Sequence, residues 1–226
     1  MSNNKISVIM SVHNNEATLE KSVESILSQS YENFDFLIID DCSSDKTKEI
    51  LKTYQVKDKR VKIFTNKTNL GLTKSLNTLL KSSEISSIIA RQDGDDFSEK
   101  DRFSKQIQYI LNENCDAVYS RARRTDNNKI IPGKSFYLSK KFLLNFKNPF
   151  IHGTLMAKFD SFKRAGFYDE SFYYAQDYKL ILDFYKNGEK IHYIKEPLYN
   201  LNMKSNISSN FKEEQKNFFI KARKNN

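Results

Sequence analysis

Three carboxylates fall within four residues at Asp93-Gly94-Asp95-Asp96, directly after the apolar run Ile85–Ala90. Such a set repels itself unless a cation or a basic group compensates it. A hard divalent ion does so through oxygen ligands, and Mg²⁺ commonly bridges one or two carboxylates to substrate phosphates. The plainer alternative is an acidic turn before a helix, with Ser98 or Asp101 as its cap. A second acidic pair, Asp40-Asp41, closes another apolar run. Cys42 and Cys115 make no CxxC pair, and His13, His152 and His192 show neither HxxH nor HExxH spacing. A disulfide framework or a thiolate and imidazole cage is therefore not expected. Any metal, Mn²⁺ or Mg²⁺, would sit mainly on carboxylates. Neither GxGxxG nor a P-loop follows the first apolar run, which argues against a dinucleotide fold or a P-loop ATPase.

These groups need a frame to converge. The 226 residues are 38% hydrophobic and include 17 Phe and 12 Tyr, ample for one domain with a real core. Ile6–Val12, Phe34–Ile39, Val61–Phe64 and Ile85–Ala90 read as strands. Helical spacing follows each: Leu19, Val23, Ile26 and Leu27 (capped near Asn15 or Glu16), then Ile50, Leu51 and Tyr54 after Ser43, Ser44 and Asp45. Leu72, Leu76, Leu79 and Leu80 form the third set, and Phe103, Ile107, Ile110 and Leu111 the fourth. This alternation predicts an α/β fold, a mainly parallel sheet flanked by helices on both faces. Ligands in such sheets bind beyond the carboxyl ends of the strands. Ser11-Val12-His13-Asn14, Asp40-Asp41 and the acidic cluster would then share one rim. After a strand near Ala117–Tyr119, the segment 125–133 reads as a hairpin tip and Phe142-Leu143-Leu144 as a short helix. Ile151–Met156 is expected as a strand, Asp177 as the opening of a helix closed by Asn187-Gly188, and Ile191–Ile194 and Leu198–Leu201 as two further strands.

Four fragments in order carry a family resemblance. SVIMSVHNNEATLEKSVESILSQSYENFDFLIIDDCSSDKT, NLGLTKSLN, RQDGDD, and HGTLMAKFDSFKRAGFYDESF followed by AQDYKL together resemble the family 2 glycosyltransferases of GT-A fold, over roughly Lys5 to Leu201. The resemblance implies a nucleotide-binding half (about 1–120) and a smaller acceptor-side half (about 121–208) within a single domain spanning 1–208, followed by a basic tail, 209–226. It implies inverting transfer from a nucleotide-sugar donor, with UDP favoured, to a glycan or lipid-linked saccharide of a bacterial surface polysaccharide. Ser11 and His13 would meet base and ribose, Asp41 the uracil imide, and Lys74 the nucleotide. Asp93 would face ribose or metal, Asp95 would ligate the metal on the diphosphate, and His152 would lie near metal or diphosphate. Arg91 would steady the carboxylates, and Asp96 would serve either as a supporting carboxylate or as a helix cap. Asp177 would be the general base that takes the acceptor proton. Gln176 stands where the family often has an acid.

The charge is uneven as well. Between Arg121 and Lys147 lie eight basic residues and one acid, Asp126. The tail adds Lys204, Lys212, Lys216, Lys221, Arg223 and Lys224 against Glu213 and Glu214, with Phe211, Gln215, Phe218, Phe219 and Ala222 at helical spacing. No run is long enough to span a bilayer, and the apolar start is too short for a signal peptide. The expectation is a cytoplasmic enzyme held reversibly on the inner membrane face by its basic stripe and tail helix. Two alternatives are a sugar nucleotidyltransferase, whose Gly-rich basic loop is missing after the first strand, and a basic nucleic-acid-binding protein. The second needs neither the acidic cluster nor Asp177, so no nucleic-acid partner is expected.

Overall fold

A computed structural model describes residues 4–203 and 212–224. The first-half strands pair in parallel: β1 (Ile6–Val12), β2 (Phe34–Asp40), β3 (Val61–Thr65) and β4 (Ile88–Arg91). β1 lies between β2 and β4, with Ile6 opposite both Phe34 and Ile88. All of β2 is buried, as a strand covered on two faces should be.

Side chains alternate between two cores. Val8, Met10, Phe36 and Ile38 enter the one closed by α1 (Leu19–Leu27), α2 (Thr47–Lys57) and α4 (Arg102–Asn112). Ile9, Leu37 and Ile39 enter the other, beneath α3 (Leu72–Leu80), α6 (Phe159–Ala165) and α7 (Gln176–Lys186).

The sheet continues past β4 into the second half of the chain. β8 (Met156–Lys158) runs antiparallel to β4, and β6 (Ala117–Arg124) antiparallel to β8. β9 (Ile191–Leu201) and β5 (Phe97–Ser98) complete the order β3-β2-β1-β4-β8-β6-β9-β5, with β7 (Ile130–Ile131) in a hairpin on β6. Two reversals leave β6 pointing the same way as β4 and β1, so their carboxyl ends share a rim.

Three expectations change. The strand expected over Ile151–Met156 is a 3₁₀ turn, His152–Thr154, and only then β8. The two late strands are one, β9, whose register against β6 shifts around Pro197. Proline has no N–H for the ladder, so the strand bulges past it instead of ending. The tail helix exists as α8 (Lys212–Lys224), but its aromatic edge is not free for a membrane. Phe219 stacks on Tyr178 of α7 at 4.1 Å, Phe218 packs edge-on to Phe172, and Ala222 is fully buried. Lys204 and Phe211 lie outside the described residues.

Candidate active site

The acidic turn after β4 is fastened from beneath. Arg91 is completely buried, donating through Nη1 to the carbonyls of Ile9 (3.0 Å) and Gln92 (2.7 Å) and through Nη2 to the Asp93 carboxylate. Ser22 donates to the Asp93 carbonyl at 2.9 Å, and Thr18 to that of Gly94 at 3.2 Å. Gly94 is pressed so close to β1 that a Cβ there would stand 2.7 Å from Val12 Cγ1. Arg102, also fully buried, donates to Ser98 Oγ (2.7 Å), Gln92 Oε1 (3.1 Å) and Gln106 Oε1 (3.0 Å) and to the Arg91 carbonyl. Burial and the Arg91 charge lower its pKa to about 10.

The carboxylates of this turn differ in state. Burial pulls the Asp93 carboxyl upward, but the Arg91 guanidinium overcomes it and holds it below the ordinary value. Asp96 goes well above that value through burial and repulsion from Asp93 and Asp95. Its Oδ1 accepts from the Asn202 backbone N–H at 2.7 Å. The cap position of α4 belongs to Asp101, so Asp96 anchors the end of β9 rather than a helix.

The second half reaches over the turn. The Tyr199 hydroxyl accepts from the Asp93 backbone N–H at 3.1 Å. His152 Nε2 meets the Tyr168 hydroxyl at 2.6 Å and Arg91 Nε at 3.4 Å. Burial first, then Arg91, drops the His152 pKa to about 3, so the ring is neutral. With Nε2 accepting from both neighbours, the proton sits on Nδ1, and no ring lone pair is left for a metal in this arrangement. A Cβ on Gly153 would fall 2.3 Å from Tyr199 Oη and 2.8 Å from Asp93 Oδ2, so only glycine lets this 3₁₀ turn pass. Asp177 lies in the first turn of α7, following Ala175 at φ 55°. It accepts from Asn148 Nδ2 at 2.8 Å. Burial raises its pKa, and the Asp93 charge adds a smaller share of the rise.

On the β1–β2 side, His13 Nδ1 meets the Asp41 carbonyl oxygen at 2.9 Å. The Asp41 carboxylate is buried, and Oδ1 accepts from Asn66 Nδ2 (2.7 Å) and the Leu70 N–H (2.8 Å), Oδ2 from the Gly71 N–H (2.8 Å). One lone pair of Oδ2 stays available. Ser11, next to last in β1, is half-buried, and Lys74 stands exposed on α3. The rim thus brings His13 to Asp41, and Asp93 to His152 through Arg91. Lys74 makes no side-chain contact with either set.

The sequence reading missed Arg102, Asn148, Tyr168 and Tyr199. Arg102 carried a signal: with Gln106 and Ile110 it lies at four-residue spacing on the buried stripe of α4. Among the described residues, Glu113, Cys115 and His192 are the one trio of potential metal ligands within 4.8 Å, and they sit at the opposite rim, where β6 and β9 begin.

The profile of Glycosyl transferase family 2 matches residues 7–168. The O-antigen biosynthesis glycosyltransferase WbnJ of Escherichia coli is 36% identical over 184 residues, 78% of this chain and 70% of that protein. The crystal structure of S. aureus TarS 1-349 in complex with UDP superposes with a TM-score of 0.76 at 21% identity, covering 96% of this chain and 65% of that one. The mannosyltransferase PcManGT from Pyrobaculum calidifontis, in complex with GDP-Man and Mn²⁺, superposes at 0.75 with 16% identity, covering 97% and 63%. This chain spans just under two thirds of both solved proteins.

Proposed function

The chain belongs to glycosyl transferase family 2, and from that premise we propose that it moves a sugar from a nucleotide donor, UDP-linked, to a hydroxyl of a glycan or lipid-linked saccharide with inversion. The observation that carries the reading is Asp177: a half-buried carboxylate of raised pKa in the first turn of α7, held by Asn148. A base of raised pKa takes a hydroxyl proton better than an ordinary carboxylate. The names of the relatives favour the substrates: WbnJ works in O-antigen biosynthesis and TarS binds UDP.

In this scheme Asp177 accepts the proton of the acceptor hydroxyl as that oxygen attacks the anomeric carbon. Asn148 donates to Oδ2 and orients the carboxylate for that step. Ser11 and His13 contact ribose and base, and the spare lone pair of Asp41 Oδ2 receives the uracil imide N–H. Lys74 approaches the nucleotide from α3.

Asp93 and Asp95 supply oxygen atoms only, a donor set that fits Mn²⁺ or Mg²⁺; His152 does not fit while Tyr168 and Arg91 occupy its Nε2. His152 instead buttresses Arg91. The metal, when bound, would neutralise charge on the departing diphosphate. No helix among the described residues is long and apolar enough to cross a membrane; we place the reaction at the cytoplasmic membrane face, where a lipid-linked acceptor is presented.

A panel of nucleotide sugars, scored by slow release of free nucleotide with Mn²⁺ or with chelator, tests the donor. Release from UDP-sugars that stops in chelator is expected. Release from GDP-sugars alone would overturn the UDP assignment, and full release in chelator would overturn the metal.

A further inference from the structure

We propose that the segment Lys134–Lys147 seats the protein on an anionic lipid leaflet. It consists of a 3₁₀ turn (Lys134–Tyr137) and α5 (Lys140–Leu143), and it has two distinct sides. Phe136 packs on Tyr193, Leu143 and Leu144 are buried, and Tyr178 donates to the Leu144 carbonyl at 2.5 Å. The other side is apolar and open: Tyr137 is 69% exposed, Leu138 52%, Phe142 56% and Phe146 67%. The rings of Phe142 and Phe146 pair at 5.2 Å in the open. Their company is cationic. Lys134, Lys141 and Lys147 are exposed, and Lys195 stands over the Tyr137 ring at 5.7 Å. From Asn127 to Phe159 there is no Asp or Glu. Among the described residues none of Lys134, Lys141 and Lys147 pairs with a carboxylate.

Large apolar side chains left in water across a rigidly backed surface mark an interaction face. Aromatic and leucine side chains among unpaired lysines match the boundary of a negatively charged bilayer, where rings enter the acyl edge and lysines meet phosphate. An acidic protein partner would answer the lysines but not the free rings; a single-stranded nucleic acid would answer both, and the test separates it. The patch is also placed for its task. It leads directly into Asn148, which holds Asp177, so a leaflet under the patch brings a lipid-linked hydroxyl to the base. That last link rests on the function proposed above; the docking itself does not.

Flotation of the full chain with phosphatidylcholine vesicles, with and without phosphatidylglycerol, is the experiment. Binding should require the anionic lipid and fall as salt rises. Losing one surface lysine should cost about fivefold in partition, so Lys141→Gln with Lys147→Gln should lose about 25-fold. Phe142→Ser with Phe146→Ser should lose roughly tenfold or more. All four side chains are exposed, so these variants should keep the native melting temperature. Lys216→Gln with Lys224→Gln on α8 should bind as the parent does. Parental binding by both patch variants, loss caused by the α8 variant, or capture by an oligonucleotide in place of vesicles would each overturn the proposal. Donor hydrolysis by the same samples in free solution separates the two readings: vesicle binding without hydrolysis sinks the transferase scheme and leaves the patch standing.

Discussion

The two sides of the rim hold their carboxylates in opposite ways. At the ends of β2 and β4, Asp41 accepts from three donors and Asp93 from a buried guanidinium, and each carboxylate braces backbone around it. At the start of α7, Asp177 accepts from one side chain, Asn148, and from backbone N–H groups, but burial outweighs them and works against its charge. A carboxylate that stabilises the fold is well solvated by protein groups and correspondingly poor as a base. A carboxylate that acts as a base is held at some cost to the fold. The Asp41 and Asp93 side is therefore braced, while the Asp177 carboxylate is held against its charge.

The sharpest way to break this contrast is Asp177→Asn. Transfer should fall roughly 10²–10⁴-fold while UDP binding persists. Near-normal turnover would remove Asp177 from the chemistry. On the Asp41 and Asp93 side, Asp95→Ala should weaken Mn²⁺-dependent UDP binding about tenfold or more, measured by calorimetry with and without chelator. Gly153→Ala forces a methyl group into Tyr199 and Asp93, and should cost about 1–3 kcal/mol in denaturant unfolding together with UDP affinity. Asp41→Ala strands the Leu70 and Gly71 N–H groups and should destabilise by about 1–3 kcal/mol. It should also weaken UDP more than pyrophosphate, and equal losses would remove the contact to the base.

The smallest effect is the most diagnostic. Burial raises the Asp177 pKa above its ordinary 3.8, so the native state holds this proton more tightly than the unfolded chain does. The resulting stabilisation is complete below the unfolded value and disappears as pH rises through the folded one. Asp177→Asn should therefore melt above the parent at neutral pH, and the gain should vanish in acid. The same raised pKa places the acid limb of the transfer profile above 3.8. A variant that melts lower at neutral pH would mean that Asp177 braces the fold as Asp41 does.

Much of this rim was legible because its chemistry is local in sequence. The acidic turn follows one apolar run, Asp40-Asp41 ends another, and both runs became β-strands within a few residues of expectation. Residues that act by convergence were not legible. Tyr199 read as a strand aromatic, yet its hydroxyl serves a backbone N–H on the far side of the sheet. Arg102 gave no reading as a core residue because arginine seldom enters a core without a carboxylate touching it; here Gln92, Ser98 and Gln106 supply the acceptors. The tail helix shows the same limit from the other direction. Its amphipathic spacing was read correctly, but spacing alone does not say whether Tyr178 or a lipid covers Phe219.

The clasp of β9 on the acidic turn has a consequence for how the chain is made. Tyr199 and Asn202 come 106 residues after the groups they hold. Contacts this distant in sequence form late, since a long loop must close before they contribute. During synthesis the four parallel strands emerge first, with Arg91 and Arg102 still lacking the layer that buries them. The acidic turn takes its final shape only when β9 leaves the ribosome and seats against β5 and β6. A nascent chain without β9 therefore lacks the Tyr199 hydroxyl and the Asn202 N–H that close the turn.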